Sequence, residues 1–302
     1  MFLRNLILFR FPTAIDFSEV DALLPQMQLK PVGPLEMTSR GFISPFGREE
    51  TAVLSHRIGD WLWLTVGTEK KILPASAVNN LLAAKIEKLE QTEGRKPGGR
   101  ERKSMKDDLL HELMPLALIT SGRTDVFLDM KRGVAFVDSS SRGNGESVIS
   151  DIRALLGSFP AMPLNAEVPT RSVLTGWIAG EPLPEGLSLG DEAELRDPVE
   201  GGSVARLQKQ ELLSDEIGRH LDAGKQVTKL ALVLQDNLSF VLGDDLILRK
   251  LKFLDGALDK LADADVDGRR AELDARFALQ TGELGQLFDV LAAAFRISSA
   301  GA

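Results

Sequence analysis

GGSVARLQKQELLSDEIGRHLDAGKQVTKLALVLQDNLSFVLGDDLILRKLKF, residues Gly201 to Phe253, reads as four strands and one helix. Val227, Leu230, Leu232 and Leu234 form a nearly continuous apolar run with Thr228 and Lys229 at its polar edge, the pattern of a mostly buried strand. Asn237 and the cluster Gly243-Asp244-Asp245 mark turns, and Leu246 to Leu251 returns as the second arm of a hairpin. Ser214, with Glu216 and Ile217 after it, starts a helix that Gly224 stops, so Lys209 precedes that helix and Lys225 follows it. Alternation along the return strand predicts Arg249 and Lys250 on opposite faces. The stretch also carries Arg206, Arg219, Lys229 and Lys252. A solvated basic rim and a phosphate-binding surface both fit these cations.

Working outward, MFLRNLILFRFP at the N-terminus reads as a first strand rather than a signal peptide, because Arg4 and Arg10 interrupt its apolar run and no small-residue cleavage site follows. Asp16 is placed to cap a helix through Phe17, Val20, Leu23, Leu24 and Met27, and a short strand is expected near Phe42. Ala52 to Arg57 and Trp61 to Ile72 read as a hairpin turning at Gly59-Asp60. Its two indoles, Trp61 and Trp63, share a face, where packing and base stacking are the alternatives. Pro74 opens a helix with an apolar stripe of Val78, Leu81, Leu82, Ile86 and Leu89; Gly94 to Arg100 breaks it, and a second helix runs from Arg102 to Met114. Three strands then follow, around Pro115–Thr120, Asp125–Met130 and Val134–Asp138, and a helix near Ser147–Leu156. An acidic helical region, Asp255 to Asp274, leads to a last amphipathic helix, Leu284 to Ile297. The predicted fold is α+β, with antiparallel sheets, packed helices and a protruding helical hairpin. Residues 1–160 form an N-terminal α+β domain with the basic hairpin 74–114, and 161–302 a C-terminal α+β domain with the basic sheet 203–253, the proline-rich segment Gly157 to Pro169 lying between them.

The chain has 302 residues, 43% of them hydrophobic, enough to bury a substantial core, and no apolar run long enough to span a membrane. It has no cysteine, which excludes disulfides and thiolate metal sites and fits a reducing cytoplasm, and no tyrosine, which excludes a tyrosyl nucleophile. The formal charge of −8 argues against a polyanionic partner, but the charge is segregated. Lys70 to Lys106 holds ten basic and four acidic residues, and Glu181 to Glu200 holds seven acidic residues against Arg196. An acidic chain of this kind can still present one basic surface.

The catalytic motifs fail on inspection. His111-Glu112 lacks the second histidine of a metalloprotease helix, since Pro115 stands four places on. Gly143-Asn144-Gly145 lacks the third glycine of a dinucleotide loop, Val148 being there instead, and reads as a turn with a helix cap. Asp263, Asp265 and Asp267 before Gly268 are spaced as a calcium loop begins, but Asp274 is one methylene short at the twelfth position, so an acidic turn is the expectation. His56, His111 and His220 are scattered, and neither Asp107-Asp108 nor Asp244-Asp245 makes an acid/base pair by spacing. No metal and no cofactor is expected.

Seven segments, in order and spacing, resemble the recombination-associated RdgC family of bacteria: Glu69-Lys-Lys-Ile-Leu-Pro74, Ala84-Lys-Ile-Glu-Lys-Leu-Glu90, Gly157-Ser-Phe-Pro160, Asp191-Glu-Ala-Glu-Leu195, Ala223-Gly-Lys-Gln-Val-Thr-Lys-Leu-Ala231, Leu251-Lys-Phe253 and Thr281-Gly-Glu-Leu284. The resemblance implies a non-enzymatic, nucleoid-associated protein whose homodimer closes into a ring around double-stranded DNA. It further implies little sequence preference, weaker binding of single strands, and antagonism of RecA-promoted strand exchange. Lys209, Gln210 and Lys225 match family residues linked to ring closure or DNA. Leu118 stands where family members place a phenylalanine at the closure contact, a departure that keeps apolar burial but loses the ring. The expected closure residues are Leu118, Lys209 and Gln210. The expected DNA contacts are Lys209, Gln210, Lys225, Lys229, Arg206, Arg249 and Lys250 on the sheet, and Lys85, Lys88, Arg95, Lys96 and Arg100 on the hairpin. The acidic segments should face away from the DNA. An interaction scaffold for RecA or replication proteins, with incidental DNA affinity, is the alternative.

Overall fold

A computed structural model of the chain describes residues 2–47, 51–199, 201–262 and 268–298. It begins β1 (Leu6–Arg10), α1 (Val20–Leu23), β2 (Thr38–Phe42), β3 (Ser55–Ile58), β4 (Trp61–Ile72), α2 (Ala75–Glu93), α3 (Gly99–Leu113), β5 (Leu118–Asp129), β6 (Val134–Asp138) and α4 (Arg142–Leu156). It continues β7 (Met162–Pro163), α5 (Thr170–Ile178), β8 (Leu187–Arg196), β9 (Val204–Gln208), α6 (Asp215–Asp222), β10 (Gln226–Leu234), β11 (Leu238–Gly243), β12 (Leu248–Phe253), α7 (Asp255–Ala262) and α8 (Arg269–Phe295). The strands are hydrogen-bonded in the order β2-β4-β5-β6-β1-β12-β11-β10-β8-β9, with β3 on β4 and β7 on β1. The registered pairs are antiparallel, and the α+β expectation holds. Among the described residues no helix is long and apolar enough to cross a membrane.

Two compact units divide the chain: Met1–Pro25, Ser44–Thr65 and Thr124–Ala302 in the first, Gln26–Ile43 and Val66–Arg123 in the second. In the first unit β1 is buried on both faces. Leu6 and Leu8 join a core with Phe127 and Phe136 of the neighbouring strands and Phe277, Leu284, Leu287, Phe288, Leu291 and Phe295 of α8. Ile7 and Phe9, pointing the other way, meet α4 at Gly145, where a Cβ would stand only 3.2 Å from Ile7. Trp63 lies 5.4 Å from Phe127 and 5.3 Å from Phe277 between ring centroids, and Trp61 lies 5.5 Å from Phe136. Both indoles therefore serve packing. The buried Trp63 N–H is satisfied by Asp125 Oδ1 at 2.9 Å, which also accepts from Thr65 at 2.6 Å.

In the second unit β2 pairs with the far half of β4 from Thr38↔Lys70 to Phe42↔Val66. Gly41 is obligatory there, since a Cβ would stand 2.6 Å from the Leu29 amide nitrogen. The buried Lys71 ammonium donates to the carbonyls of Gly33 (2.7 Å) and Pro34 (2.5 Å), which neutral oxygens satisfy in place of a carboxylate. Helices α2 and α3 form the expected hairpin, closed by Gly94 at a φ of 66°.

Several boundaries differ from the sequence expectation. The first helix is one turn, α1, continued as a 3-10 turn from Leu24 to Met27; Asp16 instead accepts from the amide and hydroxyl of Ser18. The two strands expected at Pro115–Thr120 and Asp125–Met130 are the single strand β5. Helix α4 starts at Arg142, so Gly143 and Gly145 lie inside it, behind a Ser141 hydroxyl that accepts from the Asn144 amide at 3.4 Å. The last helix begins at Arg269 rather than Leu284.

Candidate nucleic-acid interface

Arg206 of β9, Lys229 of β10, and Arg249 and Lys250 of β12 line one cavity of about 270 Å³ together with Glu192 and Glu194 of β8. The expectation that Arg249 and Lys250 face opposite ways fails. Lys250 adopts a φ of 53°, and the β11–β12 register slips between Ser239 and Val241, so the two-residue alternation is broken at this point. Left-handed backbone at a lysine is uncommon, and here it brings both side chains to one wall.

Each of these cations meets an acid. Glu194 accepts from Arg206 Nε and Lys229 Nζ, both at 3.1 Å, and from the Thr228 hydroxyl at 3.1 Å. Lys250 Nζ donates to both oxygens of Glu192 at 2.7 and 2.6 Å. Arg249 makes a two-pronged pair with Asp245 at 3.0 and 2.7 Å. Burial would raise the Glu194 pKa, but the hydrogen bonds from Lys229 and Arg206 outweigh it and hold the carboxyl at about 2. Burial likewise opposes ionisation of Asp245, and the Arg249 pairing wins, keeping it below the usual carboxylate range. The acidic segment around β8 therefore does not turn wholly away from the cations, as charge segregation suggested: Glu192 and Glu194 sit among them. Sequence reasoning missed this because Glu194–Arg206 and Glu194–Lys229 are cross-strand neighbours, visible only once the β8–β9 and β8–β10 registers are fixed.

Lys209, Gln210 and Lys225 flank α6 in the same unit. Lys209 is exposed, holds a φ of 56° directly after β9, and has no hydrogen bond or ion pair of its side chain among the described residues. The Gln210 amide donates to the Asp191 carbonyl at 3.4 Å, which anchors the turn to β8. Lys225 Nζ lies 3.3 Å from His220 Nδ1. On the hairpin, Lys85 pairs with Glu112 at 2.7 Å, Arg95 with Glu101 at 2.7 Å and Glu93 at 2.8 Å, and Lys96 with Glu90 at 4.0 Å. Lys88 and Arg100 are exposed and unpaired among the described residues. Leu118 is 77% exposed, between Leu116 at 80% and Ile119 at 51%.

Nothing in the described residues assembles a metal site. Residues 263–267 of the acidic turn lie outside the described residues; Asp274, its twelfth position, pairs with His56 Nε2 at 2.5 Å. Asp244 is held by Arg171 at 2.6 Å. Asp138 caps the amides of Arg4 and Asn5, both at 3.0 Å, and burial raises its pKa.

The RdgC family model, described as "Putative exonuclease, RdgC", matches residues 1–298. The chain belongs to the RdgC family. An RdgC relative from Stenotrophomonas maltophilia, named "Recombination-associated protein RdgC", is 69% identical over 300 residues, covering 99% of this chain and all of its own length. Relatives of the same name from Xanthomonas axonopodis pv. citri and Xanthomonas campestris pv. campestris are each 66% identical, over 300 and 302 residues, covering 99% and 100% of this chain and all of their own length. The RdgC description thus mentions an exonuclease, while these relatives are named for recombination.

Proposed function

We propose that the protein is a non-enzymatic DNA-binding protein of recombination, a homodimer that closes around duplex DNA and limits RecA-promoted strand exchange. The observation that carries this reading is the sheet face: four cations from three strands meet at one cavity in a chain of net charge −8, in a family whose relatives are named for recombination. Ion pairing does not disqualify these cations. Exposed pairs are worth only about 0–1 kcal/mol, so a phosphate can take the place of Glu192 at Lys250 at small cost. Lys209 and Lys225 flank the same sheet, and Lys209 keeps a strained backbone that a glycine would relieve, which fits a position held for function. Contacts of this type grip the backbone and carry no base readout. Leu118, with Leu116 and Ile119, supplies exposed apolar surface suited to the closing contact between two copies.

The test is duplex binding across a salt series with two unrelated sequences. Affinity should fall steeply with salt and be the same for both; salt-independent binding would refute the reading. Lys209→Glu with Lys225→Glu should weaken binding to both sequences alike. Retention on closed plasmid but not on its linear form tests encirclement, and DNA left intact in magnesium tests the absence of nuclease activity. The same exposed leucines favour a second reading, a scaffold for RecA, which capture of RecA persisting after nuclease treatment would support.

A further inference from the structure

Of the five hairpin cations expected to touch DNA, Lys85, Arg95 and Lys96 are paired, and Lys88 and Arg100 are exposed without a partner among the described residues. Lys85 and Arg95 face acids across the hairpin, Glu112 and Glu101 of α3, at 2.7 Å each, and Lys96 reaches Glu90 of α2. The opposite side of α3 is different. Arg100, Lys103 and Lys106 are all exposed and make no hydrogen bond or ion pair among the described residues. At about 100° per residue these positions lie within an arc of about 120°, a single face of the helix. Asp107, one turn beyond Lys103, forms no ion pair with it.

We propose that Arg100, Lys103 and Lys106 form a phosphate-binding stripe that tracks one strand of duplex DNA. The inference rests on the DNA-binding reading above and assigns the hairpin's contact to α3 rather than to the paired cations of α2 and the tip. Three observations converge. These cations have no ion-paired acid for a phosphate to displace, although Asp107, one turn beyond Lys103, lies on the same face and offsets part of their charge. The stripe runs about 9 Å along the helix axis, and its long side chains can spread from there to separate backbone phosphates. The acids of α3 nearest α2, Glu101 and Glu112, are consumed internally and do not oppose the stripe.

The experiment measures the salt dependence of duplex binding by fluorescence anisotropy with the full chain. Arg100→Ala with Lys103→Ala and Lys106→Ala should flatten the slope of log K against log salt by about 3, at about 0.9 per phosphate contact, with an unchanged melting temperature. Lys103→Gln with Lys106→Gln, which keeps side-chain length and helix propensity, should flatten it by about 2. Lys85→Ala with Glu112→Ala removes a pair without changing net charge and should leave the slope as it is. If the unaltered protein shows salt-dependent binding and the stripe variants share its slope, or if removing the pair flattens the slope as much as the stripe variants do, the stripe is refuted alone. If the unaltered protein shows no salt-dependent duplex binding, the DNA-binding reading falls and the stripe with it.

Discussion

Glu194→Gln removes one charge and changes almost no volume, yet it should move stability and DNA affinity in opposite directions. The wild-type carboxyl, held at about 2 against an ordinary 4.5, corresponds to a ceiling of about 3 kcal/mol at roughly 1.4 kcal/mol per tenfold change. Glu194 is buried, but Arg206 and Lys229 are 72% and 40% exposed in their side chains, so solvent screening reduces the effect to about 1–2 kcal/mol. Because the folded pKa lies below the unfolded one, this stability is fully present above about pH 4.5 and is lost as the pH falls toward 2. Urea unfolding followed by tryptophan fluorescence should therefore show the variant less stable by about 1–2 kcal/mol at pH 7, with the gap closing as the pH approaches the folded pKa. In the binding assay the same variant frees two cations, and the salt slope should steepen by up to about 1.8. A stability gap as large at pH 3 as at pH 7, or a variant that binds duplex more weakly at neutral pH, would refute the account of Glu194 as the acid that restrains this face.

Lys209→Gly should relieve the left-handed backbone at 56° and raise stability by about 1 kcal/mol, while weakening duplex binding; urea midpoints and anisotropy on one preparation check both signs. Arg132 donates to the fully buried Asp129 at 2.8 Å and to Asp289 of α8 at 2.8 Å. Arg132→Met would strand the Asp129 charge, and a loss of about 3 kcal/mol in urea unfolding is expected, with duplex affinity at low denaturant unchanged.

What the sequence disclosed, and what it hid, follows from the reach of each signal. Hairpins written by local punctuation were legible: the β3–β4 turn at Gly59-Asp60, the α2–α3 break at Gly94, and the four strands with α6 between Val204 and Phe253. Glycines that serve close approach rather than turning were misread. Gly122 lies in the gap between the two strands expected where β5 runs unbroken, and its missing Cβ makes room for the Thr68 hydroxyl, which would lie at 2.5 Å. Gly145 delayed α4 for the same reason, being chosen to meet Ile7 and Phe9. The candidate site was legible as an excess of cations and illegible as a network. Lys250 and Glu192 are 58 positions apart, and only the folded sheet makes them neighbours. The bulge that turns Lys250 onto the wall of Arg249 has no glycine to announce it.

The acids within the cation cluster bear on how such a surface can exist at all. Four positive side chains around about 270 Å³ would repel one another in the free protein, and net self-repulsion destabilises the compact state. Glu192, Glu194 and Asp245 remove that repulsion and hold each cation in a defined position, so less side-chain freedom is left to lose when phosphate arrives. For the DNA binding proposed above the cost would be affinity, because a phosphate would have to displace a carboxylate before it gained a partner. The pairs differ in how readily they yield. Glu192 is 26% exposed and holds one lysine, whereas Glu194 is buried and holds Arg206, Lys229 and a threonine, with Arg196 also within 3.6 Å. If the face binds DNA as proposed, phosphate should therefore exchange first at Lys250 and last at Lys229.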